Sequence, residues 1–148
     1  MKRINWNEIV ERDGLFYHQD TNKPVTGVDE EFYENGQLKE RRNYIDGELD
    51  GLNGTFHENG QVNIRGNYKD GKKEGLVEFF YENGQLWGRG NYINGKRNGL
   101  HERFDLNGQL GLRSNWKDGK FDGLHEVFHQ NGQLSRRENY KDGKREGL

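Results

Sequence analysis

Polar turn dipeptides interrupt the apolar positions of this chain at a constant step of 24 residues. Asn-Gly pairs recur at that step from Asn35-Gly36 to Asn131-Gly132. A second series, mostly Asp-Gly, keeps the same step from Asp46-Gly47 to Asp142-Gly143. Apolar and polar residues alternate between the turns, as they do in strands that bury one face. The pattern predicts a repeating β-hairpin unit and therefore an all-β repeat protein.

Aromatic residues recur every 12 residues, in step with the turns. Segments of about 6 to 8 residues separate the turns, which is an ordinary strand length. Consecutive strands joined by short turns form an antiparallel meander, so we predict an elongated, curled single-layer sheet of tandem hairpins. Each of ten predicted strands carries one ring, from Phe32, Tyr44, Phe56, Tyr68, Phe80, Tyr92, Phe104, Trp116, Phe128 or Tyr140.

The length of the Asn-Gly loop decides which apolar side chains share a face. A two-residue loop would place Phe32 and Leu38 on opposite faces of the sheet, whereas a three-residue loop ending in a left-handed glycine pairs them. We therefore predict the three-residue loop and two apolar rows on one face. One row begins Phe32, Leu38, Phe56, and the other begins Val28, Tyr44, Leu52.

The repeats divide the chain into a lead-in and an array of units. Residues 1–26 lack the full pattern, and we expect them to cover the first exposed edge of the sheet. An uncovered terminal edge would be open to a partner chain or to homo-oligomerisation. Residues 27–148 form the array, with units at 27–50, 51–74, 75–98, 99–122 and 123–146, and with a sixth beginning at Gly147.

Composition narrows the classes of function. The net charge of −2 gives no electrostatic attraction to nucleic acid. The absence of cysteine excludes thiolate chemistry and cysteine-based zinc sites. No apolar run approaches the roughly 20 residues of a membrane span. No signal peptide is visible either, so we expect a cytoplasmic protein.

We predict no catalytic residue, no cofactor site and no metal site, and therefore no enzyme. The two serines, Ser114 and Ser135, lie in corresponding strands and not on a nucleophile turn. Histidines at one repeat position, such as His101 and His125, are separated by two strand spacings, roughly 9.6 Å. Zinc ligands must lie about 2 Å from one ion, so such a pair cannot share it. The glycines precede strands, whereas a phosphate-binding loop opens a helix.

The unit EGLVEFFYENGQLWGRGNYINGKRNGL resembles the MORN repeat, in particular its variant form built on nGq and y.nGk..G. Five near-regular units cover residues 27 to 148. The resemblance implies an elongated antiparallel meander and a role in scaffolding, protein contacts or phospholipid contacts. The lead-in GLFYHQDTNKPVTG is similar to the start of bacterial variant-MORN proteins of the YwqK antitoxin family. This second resemblance implies binding and neutralising a partner toxin.

An arginine recurs once per unit, on the face opposite the predicted apolar rows. Two interpretations are open. The arginines could read an anionic surface such as membrane phospholipid, since guanidinium groups suit phosphate. Alternatively they pair with nearby acids, such as Glu31 and Asp29, and keep the sheet soluble. The column consists of Arg41, Arg65, Arg89, Arg113 and Arg137.

The third unit is apolar at five positions where other units are mostly polar: Val77, Phe79, Tyr81, Trp87 and Ile93. Aromatic residues and arginine are the preferred anchors of protein interfaces. The alternative is that this cluster packs on itself or in a homodimer. We predict a partner-binding site flanked by arginines and made of Phe79, Tyr81, Trp87, Arg65, Arg89 and Arg113.

Two functions of different classes remain at this point. The leading hypothesis is a non-enzymatic protein-binding module, an antitoxin or immunity-type protein that neutralises a partner toxin by binding it. The alternative is a membrane-associated or structural scaffold that contacts anionic phospholipid through the arginine column.

Overall fold

The Asn-Gly turns fold as predicted in the computed structural model, which describes residues 3–146. The Tyr33 N–H donates to the Gln37 carbonyl at 2.8 Å, and the Gly36 N–H donates to the Tyr33 carbonyl at 3.0 Å. Gly36 has a φ of +88°, in the left-handed region that glycine adopts without steric cost. The three-residue loop is therefore confirmed, and it places Phe32 opposite Leu38.

The Asp-Gly series forms two-residue turns. Asp46 and Gly47 both have positive φ values, of 49° and 83°, which is the combination of a type I′ turn. Ile45 and Glu48 pair directly across this turn. Asp13 in the lead-in also has a positive φ of 53°, so the lead-in contains a hairpin of the same kind.

The strands of the main sheet follow one another as an antiparallel meander, and the predicted fold class is confirmed. Within residues 3–146 the sheet is open and has 13 strands. No helix in this range has the length and apolar character that a membrane crossing requires. In chain order the strands are β1 (Arg3–Ile4), β2 (Ile9–Arg12), β3 (Leu15–His18), β4 (Gly27–Phe32), β5 (Leu38–Ile45), β6 (Glu48–Leu49), β7 (Gly51–Phe56), β8 (Val62–Lys69), β9 (Lys72–Phe80), β10 (Leu86–Ile93), β11 (Lys96–Phe104), β12 (Leu110–Lys117), β13 (Lys120–Phe128), β14 (Leu134–Lys141) and β15 (Lys144–Glu146).

A bulge follows every Asn-Gly turn and decides which side chains share a face. In β8, Asn63 is unpaired between Val62, which lies opposite Phe56, and Ile64, which lies opposite Thr55. One extra residue moves the rest of the strand to the other face of the sheet. The corresponding bulge residues in the other units are Lys39, Trp87, Gly111 and Ser135.

The prediction that both apolar rows share one face is wrong, because it took no account of these bulges. Tyr44 pairs with Gly27, whereas Val28 pairs with Asn43, so the row that begins Val28, Tyr44, Leu52 is divided between the two faces. The tyrosine face, as we name it, carries the column Tyr44, Tyr68, Tyr92, Trp116 and Tyr140. The leucine face carries Val28, Leu52, Leu76, Leu100 and Leu124.

Most of the buried apolar side chains lie on the tyrosine face. Tyr44 is 0%, Val77 is 2% and Tyr92 is 8% exposed. On the leucine face, Leu52 and Leu76 are 60% and 53% exposed. The tyrosine face therefore supplies most of the packing between units.

Hydrogen bonds join successive units at both edges of the sheet. At the Asp-Gly edge, the Gly71 N–H donates to the Leu49 carbonyl and the Gly95 N–H to the Lys73 carbonyl, each at 2.9 Å. At the Asn-Gly edge the donors are side chains, as where the Tyr33 hydroxyl donates to the Phe56 carbonyl at 2.6 Å. The bond at the Asp-Gly edge recurs at every turn from Gly47 to Gly143, so this edge links each unit to its neighbour in the same way.

The lead-in lies along the first edge of the sheet. Its strand β1 pairs in parallel with β4, and Ile4 and Val25 form a buried cluster with Tyr44. The Tyr44 hydroxyl donates to the Asp29 carboxylate at 2.7 Å. Burial, together with that hydrogen bond, raises the pKa of Tyr44. Gly147, the predicted start of a sixth unit, lies outside the described residues.

Candidate partner-binding groove

Two groups of aromatic side chains line a groove of about 380 Å³ on the tyrosine face. One group lies towards the Asp-Gly turns and contains Tyr92, Trp116 and Phe121. The other lies towards the Asn-Gly turns and contains Phe79 and Trp87. The strands β9 to β13 supply these side chains, so the groove crosses the border between units.

The first wall is a continuous row of rings. The His101 ring centroid lies 5.4 Å from that of Tyr92 and 5.9 Å from that of Trp116. Trp116 lies 4.3 Å from Phe121 with the ring planes tilted by 33°, which is a close aromatic contact. The Arg97 guanidinium sits 4.6 Å from the Trp116 centroid and adds a cation–π contact. The wall is therefore held in place by its own neighbours.

His101 fits into this wall because residue 90 has no side chain. A Cβ atom added at Gly90 would lie 1.9 Å from His101 Nδ1. His101 Nε2 is 2.9 Å from the Asn91 carbonyl. Burial lowers the pKa of His101, because the charged ring loses hydration, although the Asn91 hydrogen bond opposes this shift. The ring is thus favoured in its neutral form, with Nε2 as the donor.

The second wall is built on a bulge. Trp87 is the unpaired residue after its Asn-Gly turn, and a bulge of this kind re-aims a side chain. Its ring lies 5.0 Å from Phe79 and 6.5 Å from Tyr81. The Arg103 guanidinium lies 5.8 Å from the Trp87 centroid. Each wall therefore combines aromatic rings with one arginine.

This arrangement suits a protein surface better than a reactive small molecule. The groove presents flat apolar rings with the Arg97 and Arg103 guanidinium groups against them, and aromatic and arginine side chains are enriched at interface hot spots. Among residues 3–146 there is no group of three His, Asp or Glu side chains that could hold a metal ion.

The structure divides the predicted aromatic cluster. Phe79 and Trp87 line the groove. The Tyr81 side chain contacts Trp87, but its hydroxyl donates to the Phe104 carbonyl at 2.8 Å. Tyr33 makes the same bond in the first unit, so Tyr81 joins units in addition to bordering the site. Ile93 pairs with Lys96 beside the turn and is exposed on the leucine face, away from the groove.

The predicted flanking arginines lie on the leucine face, and the prediction that they flank the aromatic cluster is wrong. Arg65 of β8 pairs with Glu78 of β9, and both lie on the leucine face. Val77 and Phe79, the residues on either side of Glu78, lie on the tyrosine face. The bulges again explain the error, since they move this column to the face of the leucines. Arg89 still borders the groove, but its Nε donates to Glu102 at 2.9 Å.

Each of the three flanking arginines has a carboxylate partner. Arg65 Nε lies 2.9 Å from Glu78 Oε1, and Arg113 Nη2 lies 3.0 Å from Glu126 Oε1. Hydrogen bonds from Arg137 and Arg113 hold the pKa of Glu126 below its ordinary value. The arginine column is therefore largely neutralised within the sheet.

Sequence reasoning missed the half of the groove that belongs to the fourth and fifth units. Trp116 occupies a position of the aromatic row, so it gave no sign of a special role. Phe121, in the fourth unit, stands where the second and third units have Lys73 and Arg97. That exchange of a cation for a ring is the signal that could have identified it.

Four segments of the chain match the family of MORN repeat variants, at residues 26–46, 49–70, 73–94 and 121–142. They cover more than half of the 148 residues. The chain belongs to the MORN repeat variant family. MORN repeats mediate binding to proteins or membranes and are not a known enzyme family. No curated protein matches the chain.

The matched segments leave out residues 95–120, although β11 and β12 pair as in the other MORN units. Asp105 stands here where other units have tyrosine or histidine. Its carboxylate accepts the Gln109 N–H at 2.9 Å within its own turn. This irregular unit supplies His101, Arg103 and Trp116 to the groove.

Proposed function

We propose that this MORN repeat chain is a protein-binding module of the antitoxin or immunity type, which neutralises a partner toxin by holding it in the groove on the tyrosine face. The observation that carries the proposal is the pair of aromatic walls, each with an arginine on its ring. The similarity of the lead-in to YwqK-family antitoxins supports a toxin as the partner. The proposed setting is the cytoplasm.

The aromatic rings of the groove are preorganised for binding. Trp116 is held between His101 and Phe121, and its indole N–H donates to Ser114 Oγ at 2.9 Å. Side chains that are already immobile lose little entropy on association. Burying about 100 Å² of ring surface then contributes about 2.5 kcal/mol at the usual coefficient. A partner side chain seated between the walls would gain this contribution from each.

The first experiment identifies the partner and measures its affinity. The tagged chain is recovered from its native cell, and the stoichiometric partner is identified by mass spectrometry and purified. Calorimetric titration then compares the wild type with Trp87→Ala and Trp116→Ala, and with Leu76→Ala on the leucine face as control. We expect each tryptophan variant to lose about 2 kcal/mol of binding free energy, as interface hot spots do. The control should bind as the wild type does.

Two outcomes would contradict the proposal in different ways. If both tryptophan variants keep a native circular dichroism spectrum and bind as tightly as the wild type, the groove is not the site. A growth assay tests the class of partner separately. We expect the partner alone to arrest growth and the wild-type chain to restore it, whereas Trp116→Ala should not. A partner that leaves growth unaffected contradicts the antitoxin role.

The structure gives less support to a lipid-binding scaffold. Head groups would have to compete with Glu78, Glu102 and Glu126 for the arginines that these residues already bind. Co-sedimentation with vesicles that contain phosphatidylglycerol tests this alternative. Binding that rises with the acidic lipid and falls with salt would favour it over a protein partner.

A further inference from the structure

The arginine column of the leucine face is one half of a charge ladder. In the second, third and fourth units the arginine reaches a glutamate that lies 13 residues later, on the next strand: Arg65 to Glu78, Arg89 to Glu102 and Arg113 to Glu126. The first arginine breaks the pattern, because the residue at this spacing from Arg41 is Gly54. The ladder therefore lacks one carboxylate.

A depression marks the place of the missing side chain. It measures about 400 Å³ and is bordered by Arg41 and Arg65 at its charged sides. Its apolar sides are formed by Leu52, Phe56 and Val62. Because Leu52 is 60% exposed, the depression opens to solvent on the leucine face, away from the groove.

Gly54 lies directly opposite both arginines. It pairs with Arg41 of β5 on one side and with Arg65 of β8 on the other. The two outer strands are two spacings apart, roughly 9.6 Å. A carboxylate above Gly54 would thus stand midway between two long, flexible guanidinium side chains.

Another position of this sheet shows the same arrangement with its carboxylate present. Glu126 pairs with Arg113 on one side and with Arg137 on the other. Its Oε1 accepts from Arg113 Nη2 at 3.0 Å, and its Oε2 accepts from Arg137 Nη2 at 2.8 Å. Glu126 is only 4% exposed. Two arginines on flanking strands therefore enclose one carboxylate completely in this fold.

Arg41 has no such partner in the described part of the chain. Residues 3–146 contain no ion pair or hydrogen bond of its guanidinium group. Glu30, which lies opposite Arg41 in β4, forms its ion pair with Arg3 of the lead-in. The depression is thus bordered by a guanidinium group that has no ion-pair partner among residues 3–146, beside three apolar side chains.

We propose that the gap at Gly54 is a receptor site for an acidic side chain of a protein segment, whose carboxylate takes the place that Glu126 occupies in its own pair of arginines. Apolar residues beside that acid would pack on Leu52, Phe56 and Val62. Guanidinium–carboxylate pairs favour such a ligand, because the fork of N–H donors matches two oxygens. This site lies on the face opposite the groove and does not depend on the antitoxin role.

Two peptides that differ in one group test the site. The probes are acetyl-Leu-Glu-Leu-amide and acetyl-Leu-Gln-Leu-amide, titrated into the ¹⁵N-labelled chain while NMR follows the Gly54 amide and the Arg41 and Arg65 Nε–H signals. We expect saturable shifts with the glutamate peptide. The glutamine peptide should bind at least about tenfold more weakly, the equivalent of 1.4 kcal/mol.

Matched variants test whether the peptide that causes the NMR shifts binds at Gly54. Gly54→Glu should fill the site from within and abolish the response. A Cβ atom there would lie 3.8 Å from the Phe56 ring and 3.3 Å from the Ile64 carbonyl oxygen, a tight contact that needs a backbone shift of a few tenths of an ångström. Gly54→Ala should keep the affinity within about threefold, because it adds no charge. Arg41→Gln should weaken binding about tenfold and provides the test should Gly54→Glu not fold.

Three results would overturn the proposal. These are equal shifts from the two peptides, an undiminished response in Arg41→Gln, and shifts at Gly54 with phosphatidylglycerol vesicles but none with the glutamate peptide. The last result would assign the site to a lipid phosphate. Trp87→Ala should respond as the wild type does, so a failure of this site and a failure of the groove are distinguishable.

Discussion

Neighbouring residues of a single strand meet different surroundings on the two faces of this sheet. In β9, Val77 is 2% exposed on the tyrosine face and Leu76 is 53% exposed on the leucine face. Rings pack on rings across the units of the tyrosine face. The leucine face instead covers its rings with charge, as where the Arg65 guanidinium lies 5.2 Å from the Phe80 centroid. A regular row of leucines therefore does not identify the buried face of a single-layer sheet.

The substitution Gly90→Ala should have the largest effect, because it acts at the tightest point of the tyrosine face. The new methyl group would displace the His101 ring from its place beside Trp116. We expect a loss of about 3 kcal/mol in the free energy of unfolding, measured by urea denaturation. Gly111→Ala is the control, since its nearest contact would be the Arg103 carbonyl oxygen at 3.7 Å. Equal stability of the two variants would show that the His101 ring is free to move aside.

The paired substitutions Val77→Ala and Leu76→Ala test the contrast between the faces most directly. Val77→Ala should cost about 2 kcal/mol, from the lost transfer free energy and the cavity left against Gly66. Leu76→Ala removes more atoms but should cost less than about 0.5 kcal/mol, because those atoms are largely in water already. The measurement is again urea denaturation. The reverse order would place the main packing on the leucine face.

Mild acid should destabilise the tyrosine face slightly. The folded pKa of His101 is lowered by burial, so the unfolded chain takes up the proton more readily. The stabilising effect is therefore complete above the unfolded pKa of about 6.5 and is lost as the pH falls below it. Since solvent screens the half-buried ring, we expect only about 0.5 kcal/mol between pH 7.5 and 5.5.

The variant His101→Gln checks the assignment of this pH effect. In this variant the free energy of unfolding should depend less on pH between pH 7.5 and 5.5. Glu126 does not contribute to the change, because it becomes protonated only at lower pH. An unchanged slope in the variant would assign the pH dependence to another group.

The turns and the strand order could be predicted from the sequence because short local segments determine them. Asn35 and Gly36 specify their loop by themselves, through the Asn35 Oδ1 bond to the Gln37 N–H at 2.9 Å and the left-handed glycine. Each strand that follows an Asn-Gly turn begins two residues after the glycine of that turn, as at Leu38 and Val62. Repetition then extends one correct hairpin to the whole array.

The faces could not be predicted, because the bulge residues have nothing in common. Lys39, Asn63 and Trp87 occupy the same bulge position in three units, and no side-chain property distinguishes that position. A single unpaired residue reverses every side chain beyond it. The prediction of the binding site was partly wrong for the same reason. Phe79 and Trp87 could be identified because they are aromatic where other units are mostly polar. The position of the arginines relative to them was predicted wrongly, because it depends on the face on which each strand residue lies.

The hydrogen bonds between turns also bear on how a protein of this kind can change in length over generations. The Gly71 N–H reaches the Leu49 carbonyl across the same spacing as the Gly95 N–H reaches the Lys73 carbonyl. A gene segment that duplicates one whole unit therefore encodes a product whose new borders already match. Gain or loss of a single codon inside a strand would instead exchange the two surfaces from that point onward. Inheritance should consequently preserve the 24-residue step more strictly than the identity of most residues within it.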